Sequence, residues 1–248
     1  MTKQSKSESK HIVILHGWGS NPGRWKAIYE NLNSIGKNFA LVHTPFLPGF
    51  DPKKPIKKPY FVQDYAKWLD EYLTKNNIKK PVIVGHSNGG RIAIYYASHY
   101  QNISQLVLIS AAGIPNPNLL LKIKKTVFLT LSKTGRKILA LFGSENLLDS
   151  AQKLLYKVAR ESDYLKATPV MRDTMLNLLA YNAYFDLPKI VVPTLCIWGE
   201  NDTATPLWMG EEMHRRIQNS KLKILEGEHN IHITHNKEIA GLIREFIS

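Results

Sequence analysis

The run Pro81-Val82-Ile83-Val84-Gly85-His86-Ser87-Asn88-Gly89-Gly90-Arg91 packs a strand, a sharp turn and the start of a helix into one short segment. Its opening is apolar, with β-branched residues at Val82, Ile83 and Val84, and reads as a buried strand. Helical spacing begins after the second glycine of Gly85-His86-Ser87-Asn88-Gly89, with Ile92, Ile94, Tyr95, Ala97 and Ser98. A Gly-x-Ser-x-Gly sequence between a strand and a helix is the form of a nucleophile elbow. Such a turn holds its central residue in a strained conformation and points the Ser87 hydroxyl away from the sheet. The flanking glycines avoid collisions with the tightly folded backbone. The helix that follows turns its free N–H groups and positive end toward the same point. The pentapeptide is common by itself, so partners for Ser87 must come from elsewhere in the chain.

Outward from this segment the chain alternates. His11–Leu15, Phe39–Val42 and Gln105–Ile109 are short apolar runs that read as strands. Helices are expected over residues 25–35 and 62–76, the second with Val62, Tyr65, Ala66, Leu69 and Leu73 on one side. Alternation stops between Pro115 and Tyr184, where only helical stretches appear. One is capped by Ser144 with a stripe of Leu147, Ala151, Leu154, Leu155 and Val158; another has Thr168 as N-cap and Pro169 at its first position. Strands return at Thr194–Trp198 and Leu222–Leu225, with helices near 211–217 and 237–247. This pattern implies an α/β fold, a mostly parallel, doubly wound sheet of about six strands covered on both faces. The expected domains are a core over 1–114 and 185–248, and a helical cap or lid over 115–184.

Composition narrows the function classes. A chain of 248 residues with 44% hydrophobic content has ample material for one core. Its single cysteine, Cys196, lies in an apolar run, so a disulfide framework within the chain is excluded and Cys196 reads as a small core residue. The polar start, Met1 to Lys10, lacks a secretory h-region, and there is no run of eighteen apolar residues; a cytoplasmic location without a membrane span is the expectation. The net charge of +13 comes mostly from dispersed lysines. Two basic clusters stand out: Lys53, Lys54, Lys57 and Lys58, and Lys122, Lys124, Lys125, Lys133, Arg136 and Lys137. No nucleic-acid-binding signature accompanies them, so no nucleic-acid partner is expected.

A nucleophilic serine needs a base, and the base needs an orienting acid. The loop after the fifth strand, Gly199-Glu200-Asn201-Asp202-Thr203-Ala204-Thr205-Pro206, offers Glu200 or Asp202. The loop after the last strand, Glu226-Gly227-Glu228-His229-Asn230, offers His229, with His232 and His235 close behind. His229, His232 and His235 have helical spacing but no acidic or cysteine ligand pattern, and no metal is expected there. A dinucleotide site at Gly17-x-Gly19 is disfavoured, because the third glycine, Gly23, comes one residue late and the second strand ends in His43-Thr44 rather than an acid.

The chain resembles the α/β-hydrolase fold family over nearly its whole length. The resemblance rests on His16-Gly17-Trp18-Gly19 after the first strand, the Gly-x-Ser-x-Gly elbow, Trp198-Gly199-x-x-Asp202-x-x-x-Pro206, and a histidine directly after the last strand. It implies a serine hydrolase with no cofactor and a catalytic triad of Ser87, Asp202 and His229. Its oxyanion hole would be the backbone N–H groups of Trp18 and Asn88. His16 and His86 then read as bracing residues, His43 and His99 as bystanders. The implied reaction is cleavage of small to medium carboxylic esters through an acyl-enzyme, with thioesters, lactones, amides and carbon–carbon bonds as alternatives on the same triad. A catalytically inactive binding module is the alternative of another class. The His-Gly-Trp-Gly turn is similar to that of esterases acting on pimeloyl groups held by acyl carrier protein. That likeness suggests an anionic acyl substrate or acidic carrier steered by Lys122, Lys124, Lys125 and Arg136. Two departures from the family pattern concern support rather than chemistry. Thr44-Pro45-Phe46-Leu47-Pro48-Gly49-Phe50 stands where an aspartate-containing turn is usual, and with the first expected strand at His11–Leu15 a sheet of about six strands without the family's opening hairpin is the expectation.

Overall fold

The computed structural model describes residues 10–33, 40–100, 102–115 and 167–248. The helix expected after Ser144 and the second basic cluster lie outside the described residues.

Six strands form one sheet: β1 (Lys10–Leu15), β2 (Ala40–His43), β3 (Val82–His86), β4 (Gln105–Ile109), β5 (Thr194–Gly199) and β6 (Ser220–Leu225). Their order is β2-β1-β3-β4-β5-β6, and every neighbouring pair is parallel. A parallel sheet must return each chain segment across a face, and helices make those crossings. The helices are α1 (Lys26–Asn33, entered through a short 3-10 turn at Pro22–Trp25), α2 (Val62–Lys75), α3 (Asn88–His99), α4 (Pro169–Ala180), α5 (Leu207–Arg216) and, after the last strand, α6 (Ile231–Thr234) and α7 (Asn236–Ile247). Two further 3-10 turns, Ala183–Phe185 and Leu187–Lys189, precede β5.

One face of the sheet carries Ile12 and Ile14, Val82 and Val84, Val107 and Ile109, and Leu195 and Ile197 against Trp25, Ile28 and Leu32 of the α1 arm and Ile239, Ile243 and Ile247 of α7. Burial of each such side chain contributes about 1.5–3 kcal/mol. On the other face α3 packs on β1, β3 and β4, and α5 on β5 and β6. With both faces covered, β3 is apolar in an unbroken run rather than alternating, as the sequence reading required. The first residues of β6 escaped that reading because Lys221 and Lys223 are exposed on an edge strand. Lysines there discourage pairing with another sheet. The short α6 was not expected either.

The chain divides into two compact units, one comprising Met1–Ile56, Tyr60–Ile114 and Asn182–Ser248, the other Lys57–Pro59 and Pro115–Tyr181. The sheet belongs to the first. In the second, α4 begins as its sequence indicates: Thr168 Oγ1 accepts from Met171 N at 3.4 Å, and Pro169 occupies the first helical turn. Its Met171, Thr174, Met175 and Leu178 are buried. Among the described residues no helix is long and apolar enough to cross a membrane.

Candidate active site

Because all six strands run the same way, the loops after β1, β3, β4, β5 and β6 leave one rim of the sheet. Every residue singled out for chemistry lies on these loops or, for Asn88, at the first position of the helix that follows.

Ser87 follows β3 directly, with φ +52° and ψ −118°, a conformation that costs on the order of 1–3 kcal/mol for a non-glycine residue. The surrounding backbone holds it there: Ser87 N donates to Ile109 O at 3.2 Å, and Ser87 O accepts from Ala112 N at 2.8 Å and Gly90 N at 3.0 Å. The elbow fits beneath β1 only because residue 89 is glycine; a Cβ there would lie 2.0 Å from Leu15 O. A methyl group at Gly17 would sit 3.2 Å from Ser87 Cβ, so the His16-Gly17-Trp18 turn lies against the nucleophile candidate. Among the described residues, the N–H groups of Trp18 and Asn88 are given to no backbone acceptor outside the regular elements.

The acid loop is fixed from several sides. Trp198 Nε1 donates to Thr205 O at 2.7 Å from within the core. Asp202 Oδ1 accepts from Ala204 N and Thr205 N, both at 2.9 Å, and Oδ2 accepts from Thr205 Oγ1 at 2.9 Å and His229 Nδ1 at 2.7 Å. Burial pushes the Asp202 carboxyl up, but the His229 bond and charge, with the Thr205 amide and hydroxyl, outweigh it and hold the group below its ordinary value. The loops of β5 and β6 are also stitched together, Glu200 N to Leu225 O and Asn201 N to Gly227 O, each at 2.9 Å. That approach requires Gly199, where a Cβ would meet Gly227 O and Glu228 O at 2.6 Å. Asp202, not Glu200, therefore reaches His229; Glu200 is exposed.

Asp202 and His229 are thus joined across the two loops. The elbow also reaches the histidine loop through Ser87's neighbour: His86 Nε2 donates to His229 O at 3.1 Å, and the two rings lie 4.8 Å apart.

His16 is engaged differently. Its Nδ1 donates to Gly17 O at 2.8 Å, and its Nε2 accepts from Leu47 N at 3.1 Å. Burial holds it below the usual imidazole value, so it stays neutral. This contact, with Phe50 edge-on to both His16 and Trp18, braces the turn that lacks the usual aspartate. Sequence reasoning missed Thr205 and Ser110. Thr205 Oγ1 also lies 3.0 Å from Ser110 O and 3.1 Å from His229 Nδ1, and Ser110 is held at φ +43° at the end of β4. An Asp followed three residues later by Thr, a local turn pattern, was the available signal. His235 bonds to Thr234, His99 is exposed and His43 pairs with His11, all apart from this cluster. Burial raises the Cys196 thiol to about 12, which keeps it unreactive.

Residues 10–186 match a family model described as alpha/beta hydrolase fold, and residues 183–248 match one described as TAP-like protein. A pimeloyl-[acyl-carrier protein] methyl ester esterase from Pseudoalteromonas atlantica is 32% identical over 158 residues, 58% of this chain and 58% of that protein. A 2-hydroxy-6-oxononadienedioate/2-hydroxy-6-oxononatrienedioate hydrolase from Comamonas testosteroni is 23% identical, covering 88% of this chain and 80% of its own. Among solved structures, an esterase from Exiguobacterium antarcticum superposes with a TM-score of 0.71 at 22% identity, over 96% of this chain and 92% of that one.

Proposed function

The chain belongs to the alpha/beta hydrolase fold family, and from that premise we propose that it is a serine hydrolase cleaving carboxylic esters of small to medium acyl groups. Ser87 attacks the ester carbonyl, and His229 takes its proton and returns it to the leaving alcohol. Asp202 holds the imidazole with Nδ1 protonated and stabilises its cation. The N–H groups of Trp18 and Asn88 receive the oxyanion, and water releases the acyl group by the same steps in reverse order. The observation that carries this reading is the 2.7 Å bond from His229 Nδ1 to Asp202 Oδ2, on the rim that also bears the strained Ser87. Bonds between nucleophile and base are often loose before substrate binds and tighten in the reacting complex. Residues 115–184 are assigned the choice of acyl group, and a reducing, cytoplasmic setting accords with the lone buried thiol.

A chain-length panel of p-nitrophenyl esters, run on the wild type and on Ser87→Ala, tests the assignment. The wild type turns over the panel with a preferred length, and Ser87→Ala loses about 10⁴-fold or more in kcat. Retention within ten-fold by Ser87→Ala removes the acyl-enzyme reading. The pimeloyl esterase likeness, with the net charge of +13, favours an anionic acyl group or acidic carrier as a second, narrower reading. Its mark is a kcat/KM that falls with salt for a charged ester and not for a neutral one.

A further inference from the structure

His86 stands immediately before Ser87 and is almost wholly buried. Two segments far from it in sequence, residues 17–25 and 229–232, meet on its ring. Its Nε2 lies 3.1 Å from His229 O, and because a carbonyl oxygen only accepts, Nε2 carries the proton. A methyl group at Gly17 would lie 3.0 Å from its Nδ1, so the turn after β1 presses on the ring's other edge. Behind it, His232 of α6 lies 4.1 Å away, and Trp25 stacks on His232 at 4.6 Å with a 20° tilt. Trp25 and His232 are themselves buried in the α1-side core. The ring is thereby confined on several sides, and rotation would break the bond to His229 O.

We propose that His86 is a positioning residue, tying the backbone of the catalytic histidine to the strand that carries the nucleophile. The inference rests on the triad reading given above. The carbonyl and imidazole of His229 belong to one residue. A donor that fixes the carbonyl therefore limits where the ring can sit relative to Ser87 Oγ. Asp202 sets the tilt and tautomer of the ring from one side, and His86 sets the depth of its loop from the other. Misplacement of a catalytic group by about 1 Å can cost on the order of a hundred-fold in rate.

The test uses two amide variants of the whole chain. Glutamine can place an N–H donor near the position of Nε2, whereas asparagine reaches only to that of Nδ1. The readout is the rate at which a fluorophosphonate labels Ser87, scored per folded molecule from the thermal unfolding transition. His86→Asn is expected to label about a hundred-fold more slowly than wild type, with His86→Gln within about ten-fold of wild type. With an ester substrate, His86→Asn lowers kcat by a similar factor and leaves KM within about three-fold. Equal labelling rates for the two variants, or both within two-fold of wild type, overturn the inference while leaving the triad standing. A folded wild type that does not label at Ser87 overturns the triad reading and this inference together.

Discussion

His16 and His229 occupy equivalent places, each just past the end of a parallel strand and each buried, with β3, β4 and β5 between their strands. What differs is the partner of each ring. His16 spends both nitrogens on the backbone, at Gly17 O and Leu47 N, and serves as a bracket. His229 gives Nδ1 to the Asp202 carboxylate, which favours an imidazolium when a proton arrives on Nε2. The same side chain becomes a strut on one loop and the candidate base on another because of a single acceptor.

The sharpest way to break this contrast is Asp202→Asn, which keeps the shape of the acid and removes its charge. On the precedent of serine proteases, kcat should drop about 10⁴-fold. The unfolding midpoint shows whether the loop survives; a kcat within ten-fold of wild type would leave the two histidines functionally alike. Thr205→Val is next. It deletes the hydroxyl shared by Asp202 Oδ2, Ser110 O and His229 Nδ1, and about ten-fold in kcat/KM is expected, equivalent to roughly 1.4 kcal/mol. His16→Phe should do the reverse. Leaving Leu47 N–H without its acceptor costs about 1–3 kcal/mol, read as a fall of roughly 2–10 °C in midpoint, while kcat changes less than in Thr205→Val.

The smallest effect is in the pH dependence of stability. The folded value of His16 is depressed below 6.5 by burial, and that of His43 by burial and by His11 beside it. The unfolded chain therefore binds protons first, and the midpoint falls as pH drops below about 6.5. Asp202 is also depressed, so its contribution is intact above the unfolded value near 4 and is lost only as pH falls further, through its folded value. A midpoint-against-pH curve should show these as two separate declines. His16→Phe flattens the upper one and Asp202→Asn the lower; a curve unchanged by His16→Phe would mean that His16 is not held neutral.

Much of the core was legible. β4 begins and ends where its apolar run does, and α2 runs from Val62 to within one residue of its expected end, because buried segments must be apolar at the period of their own geometry. Boundaries slipped where that pressure is absent. β6 starts earlier than its apolar residues suggest, since an edge strand tolerates lysines, and α5 starts directly after Pro206, at Leu207, rather than near 211. The acid loop shows the same division. Asp202 stood out in the sequence, but nothing local revealed that the Thr205 hydroxyl turns inward onto it.

The sequence by itself pointed to the parallel α/β sheet, the turn at Ser87 and the loops that carry the candidate acid and base. These follow from local rules: strand and helix periodicity, and the glycines a tight turn demands. The tertiary structure decided which carboxylate meets which imidazole, that His16 is locked neutral against Leu47, and that His86 touches two distant segments at once. Contacts of that kind depend on where separate strands end in space, and no local pattern encodes the distance between residues 86 and 229.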